Sequence, residues 1–236
     1  MEIHKIDFET FCGGCIIAAS RVLTAAHCFV DDDPYQRVSI GRPELVIRPL
    51  QNVLAVAASV KSEYFKHETD SISQWRTLRH FIYPENFDFP HNDLGILYLA
   101  EPFIFNQFVQ PIRLATQDKD YSGFCLISGY GQMSETEDSP YLLKATIRLL
   151  PVSWCSELHH KDMSDVICTS LVEADIGSGD SGGPLVCQGT GDPMEKDNGI
   201  LVGIACATYG DIHSVFTRVS RYYKYIEENR SVKCSR

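Results

Sequence analysis

Three short runs hold side chains that could do covalent chemistry together: Thr24-Ala-Ala-His27-Cys28, His91-Asn92-Asp93-Leu94-Gly95-Ile96-Leu97 and Gly179-Asp180-Ser181-Gly182-Gly183-Pro184. A serine hydroxyl is a poor nucleophile at neutral pH. It needs a base within hydrogen-bond reach, and that base needs an acceptor to fix its tautomer and stabilise its cation. Ser181, His27 and Asp93 can fill these roles, with no metal and no cofactor. The glycines around Ser181 permit torsions that would strain other residues, so the N–H groups of Gly179 and Ser181 can converge on one developing oxyanion.

Such a site needs a scaffold that brings distant runs together. Strand-like segments recur at Cys15 to Ala18, Val22 to Ala25, Val38 to Gly41, Leu45 to Ile47, Val53 to Val60, Leu94 to Leu99, Phe124 to Ser128, Leu142 to Leu149, Val166 to Thr169, Leu185 to Cys187, Gly199 to Ala207 and Ser214 to Val219. Turn residues separate nearly all of them. Only Ser220 to Arg230 reads as a helix, with Tyr222 and Ile226 four apart and neither Gly nor Pro inside. Many short strands and one terminal helix predict an all-β barrel or sandwich architecture. Ser62 to Asn86 reads as surface loop broken by a short strand around His80 to Tyr83. His159-His160 reads as a solvated turn, because adjacent residues rarely face one metal.

The chain has 236 residues, enough for one large domain or two small ones. Gln107 to Lys119 is the natural bridge, dividing 1–113 from 114–236. Lys plus Arg number 21 against 31 Asp plus Glu, a net charge of -10, which disfavours nucleic acid and anionic membranes as partners. No apolar stretch reaches the 18 or more residues that span a bilayer, and Met1 to Phe11 has no signal-peptide core. Nine cysteines favour an oxidising, extracellular compartment. Cys12-Gly-Gly-Cys15 lacks the second pair that a zinc site would need.

The three motifs, in the order His, Asp, Ser, resemble those of the chymotrypsin/trypsin-like (S1-type) serine proteases, and the likeness extends from Phe11 to about Arg230. Insect-type digestive and haemolymph members look similar. The resemblance implies two six-stranded antiparallel β-barrels with a C-terminal helix, His27 and Asp93 coming from the first barrel and Ser181 from the second. It pairs Cys12 with Cys28, Cys125 with Cys187 and Cys155 with Cys168, leaving Cys15, Cys206 and Cys234, of which Cys15 and Cys234 could bridge. It implies a secreted, monomeric endopeptidase acting on protein or peptide substrates, with proteinaceous inhibitors as partners.

By position, Asp175 matches the acidic residue that pairs with a substrate Arg or Lys in trypsin-like members. Several departures stand beside it. Gly177 occupies a usual half-cystine position, Cys206 replaces a serine that touches the catalytic Asp, and Thr208 and Ser214 would narrow the slot. No Ile-Val-Gly-Gly run is present to supply the ammonium that pairs with Asp180 in active members. Asp180 is therefore expected to find another partner or to favour a collapsed oxyanion hole. These departures motivate an alternative, a catalytically weak or inactive homologue that acts as a binding protein.

Overall fold

A computed structural model describes residues 1–5, 10–32, 45–61, 72–134 and 137–230. Strands dominate and form two barrel-like sheets, each built by antiparallel pairing. The first orders Thr10–Gly13, Glu2–Lys5, Val53–Ala57, Gln74–Ile82, Gly95–Leu99, Arg21–Thr24 and Cys15–Ala18. Its two edge strands are consecutive in sequence, parted only by Gly14, so the sheet curls until its edges lie side by side. That interruption raises the strand count from the six implied to seven.

The second sheet orders Leu143–Arg148, Phe124–Gly129, Pro184–Cys187, Ile200–Tyr209, His213–Arg218 and Val166–Ser170. Its edges are tied by the Leu149–Thr169 bridge and by the Leu150 N–H, which donates to the Cys168 carbonyl at 2.9 Å. Apolar side chains fill each interior, Leu23, Phe29, Ala55, Phe81 and Leu97 in the first and Ile127, Ile147, Leu185, Val202 and Phe216 in the second. Burying a Leu, Ile or Phe side chain contributes roughly 1.5–3 kcal/mol, so these clusters dominate stability.

Short strands such as Glu2–Lys5, Thr10–Gly13 and Val30–Asp32 were not expected, and two longer elements also correct the sequence reading. Gln74–Ile82 is a nine-residue strand where loop was expected over most of its length. Only Phe81 on it is buried, so alternation is absent from its sequence, and pairing with both neighbouring strands specifies it instead. Val152–His159 is an α-helix with Cys155 as its one buried residue. Its propensity is weak, and tertiary ties hold it: the Cys155–Cys168 disulfide and the Val152 N–H, which donates to the Asp120 carboxylate at 3.0 Å. It ends at His160 in the left-handed region, φ 52°, so His159 closes a helix and does not lie in a solvated turn.

The terminal segment forms a 3-10 turn, Val219–Tyr222, running into the α-helix Tyr223–Glu228, and Tyr222 and Ile226 both pack on the first core. The three implied disulfides are formed, and among the described residues Cys15 and Cys206 are unbridged and buried. Cys234, and with it the suggested bridge to Cys15, lies outside the described residues, as does Val38 to Gly41. Among the described residues no helix is long and apolar enough to cross a membrane.

Candidate active site

His27 sits on the 3-10 turn Ala26–Cys28, just after the strand Arg21–Thr24. Its neighbour Cys28 is bonded to Cys12 on the strand Thr10–Gly13, which pins the turn to the sheet. Asp93, wholly buried, holds His27 at two points: Oδ1 accepts from the His27 backbone N–H at 2.9 Å and Oδ2 lies 2.7 Å from Nδ1. A carboxylate only accepts, so Nδ1 carries the hydrogen and Nε2 keeps its lone pair. The Phe89 ring meets the imidazole edge-on at 5.5 Å and is itself half exposed.

Asp93 is anchored from the second sheet as well. The Thr217 hydroxyl donates to its main-chain carbonyl at 2.7 Å, and the Tyr222 hydroxyl donates to the side chain of the adjacent Asn92 at 2.9 Å. No local spacing announces Thr217, which stands 124 residues away. Cys206 fills the space beside Asp93, with its thiol directed to the Pro90 carbonyl at 3.6 Å. Burial, then the neighbouring Asp93 charge, push that thiol well above its ordinary range, so it stays protonated and unreactive.

Ser181 lies on a glycine-rich turn, and the bonds that fix it run through the backbone. Its carbonyl accepts from the Gly13 N–H at 2.7 Å, next to the disulfide behind His27, and the following Gly182 N–H donates to Ala205 at 2.8 Å. Gly182 has φ 80°, and a Cβ there would stand 2.2 Å from the Thr24 hydroxyl and 2.5 Å from the Gly13 carbonyl, so only glycine fits. Gly179 likewise has φ 94°. Backbone ties thus link the Ser181 turn to the strand Thr10–Gly13, whose Cys12 is bonded to Cys28 beside His27, and to the strand Ile200–Tyr209.

Behind this turn lies a cavity of about 610 Å³ whose lining includes Gly131, Asp175, Gly177 and Asp180. Asp180 finds peptide partners, accepting from the Gly131 N–H and the Gly177 N–H at 2.9 Å each. Burial raises its pKa above the ordinary carboxylate range, and the two N–H bonds only partly oppose the shift. The folded chain therefore binds this proton more tightly than the unfolded one, so the site costs stability as pH rises through the usual carboxylate range toward neutrality. In urea titrations from acid to neutral pH, wild type should lose stability relative to Asp180→Ala as the pH climbs. Parallel curves would refute this.

Asp175 is exposed, and its Oδ1 is already engaged. It accepts from the Ser214 hydroxyl, from the Ile176 N–H at 2.7 Å and, more weakly, from the Thr208 hydroxyl at 3.4 Å, whose one hydrogen is shared with the nearer Ile176 carbonyl at 3.1 Å. Thr208 and Ser214 therefore bind this carboxylate directly, a role that their expected narrowing of the slot did not anticipate.

The trypsin family model matches residues 3–226. The chain belongs to the trypsin family. It is 34% identical to kallikrein 1-related peptidase b8 of Mus musculus, covering 93% of this chain and 80% of that protein, and 32% identical to trypsin-1 of Salmo salar, covering 89% and 78%. Against transmembrane protease serine 9 of Rattus norvegicus identity is 33% over 94% of this trypsin-like chain, which spans only 20% of that larger protein. A solved structure titled human heparin binding protein shares the fold, with TM-score 0.71 at 21% identity over 96% of this chain and 88% of that one.

Proposed function

We propose that this trypsin-like chain is a serine endopeptidase whose catalytic residues are His27, Asp93 and Ser181. The observation that carries this reading is the two-point hold of buried Asp93 on His27, at 2.9 and 2.7 Å, which leaves Nε2 free to take a proton. In this mechanism Nε2 removes the Ser181 hydroxyl proton as the oxygen attacks a peptide carbonyl. The Gly179 and Ser181 N–H groups receive the oxyanion, and the imidazolium then protonates the leaving amine. Water repeats the sequence on the acyl-enzyme. The two lobes, 1–113 and 114–236, each contribute part of the site. Three disulfides support a secreted, extracellular protein. Substrates are proteins or peptides; proteinaceous inhibitors and a monomeric state follow from the same reading.

The test is covalent labelling of natively processed protein with a fluorophosphonate. Modification at Ser181 together with peptide turnover supports the enzyme. Persistent silence of both would leave the binding homologue as the better account.

Asp175 points to substrates with a basic side chain before the cleaved bond. With Oδ1 shared among three donors, a single oxygen remains for the substrate, and that suits the compact ammonium of lysine better than the two-pronged guanidinium of arginine. The kcat/KM for lysine peptides should therefore exceed that for arginine peptides. Ser214→Gly should shift this ratio toward arginine by about tenfold, a change of roughly 1.4 kcal/mol in transition-state binding. An unaltered ratio would refute this assignment.

A further inference from the structure

The fold brings together two histidines that the mechanism above does not use. His159, closing the helix Val152–His159, and His213, opening the strand His213–Arg218, face each other with their Nε2 atoms 2.9 Å apart. His213 is only 1% exposed; its ring stacks on Tyr209 with centroids 5.2 Å apart and meets the edge of Trp154 at 5.6 Å. His159, less buried, meets the Tyr209 ring edge-on at 4.7 Å. One hydrogen is shared between the two imidazoles. His213 Nδ1 is buried with no hydrogen-bond partner among the described residues, so the tautomer that strands no buried N–H has His213 donating through Nε2 and His159 accepting. Burial first, then Lys161 and His91 at His159 and His159 itself at His213, hold both imidazoles below their ordinary range. At neutral pH both are uncharged and carry lone pairs.

We propose that His159 and His213 form a binding site for a borderline divalent transition-metal ion, copper(II) above all, which displaces the hydrogen they share; that hydrogen passes to His213 Nδ1, and the two metal–nitrogen bonds must outweigh the cost of leaving it there without an acceptor. Imidazole nitrogen is a preferred ligand for such ions, bonding at about 2.0–2.1 Å. Two nitrogens at that distance and a right angle lie about 2.9 Å apart, the neighbouring positions of a tetragonal copper(II) site; a tetrahedral zinc ion would need about 3.4 Å. Copper is therefore accommodated by tilting the rings, with little change in the separation of the two nitrogens. Cys155 Sγ is within 4.8 Å of a ring nitrogen of each histidine, but its disulfide to Cys168 removes it as a thiolate ligand, so water completes the shell. Part-exposed His159 supplies the route of entry. The ion would tie the helix to the hairpin that carries Thr208 and Ser214, the two hydroxyls on Asp175.

The test titrates the full, disulfide-intact chain with copper(II) at neutral pH, followed by calorimetry and electron paramagnetic resonance. One ion per chain, two coordinated imidazole nitrogens, and affinity reduced about tenfold or more by His159→Ala are expected, with His27→Ala leaving binding intact. His159→Gln, which keeps a polar partner for His213, replaces the alanine variant if near-ultraviolet circular dichroism shows that variant unfolded. Binding unaffected by loss of the His159 imidazole, binding abolished by His27→Ala, or no saturable binding would each overturn the site. None of these outcomes depends on peptidase activity, so the site and the proposed function can fail separately.

Discussion

Ser181→Ala should lower kcat for peptide hydrolysis by about 10^6-fold and eliminate fluorophosphonate labelling while leaving the thermal midpoint nearly unchanged. The size follows from the loss of the only atom that forms the acyl bond; once it is gone, His27 and Asp93 have no alcohol to activate. The midpoint should hold because the contacts that fix this residue, the Gly13 N–H to its carbonyl and the neighbouring Gly182 N–H to Ala205, belong to the backbone and survive the substitution. Residual turnover within tenfold of wild type would remove Ser181 from the mechanism.

Asp93→Asn should cost about 10^4-fold in kcat. The amide can still accept from the His27 backbone N–H through Oδ1, but its NH₂ faces Nδ1 where the carboxylate accepted. That contact selects the imidazole tautomer with hydrogen on Nε2, which cannot take the serine proton. Little change in folding is expected, because Thr217 binds the main-chain carbonyl of residue 93 and not its side chain. The discriminating measurement is kcat beside urea stability. Equal loss in both would assign Asp93 a structural role only.

Where hydrophobic alternation or motif identity is strong, the chain could be read directly. The strands Phe124–Gly129 and Leu143–Arg148, the glycines of the Ser181 turn and the His27 and Asp93 motifs are all recoverable from local residues. What escaped was specified at a distance. Gln74–Ile82 is a strand because two partners pair with it, and Val152–His159 is a helix because a disulfide and Asp120 restrain it. Thr217 and Tyr222 reach Asp93 and Asn92 only once both sheets are assembled. The attachment of Ser214 and Thr208 to Asp175 likewise depends on the hairpin register that sets Thr208 opposite Ser214.

Three consecutive residues, His91, Asn92 and Asp93, each reach across to a different segment: His91 to Asp165 at 2.9 Å, Asn92 to Tyr222 and Asp93 to Thr217. A tripeptide so riveted makes proton transfer a gauge of how the halves are seated. Slippage at that seam would silence peptide cleavage while both cores remained intact, so heat or denaturant should extinguish turnover ahead of any spectroscopic sign of melting.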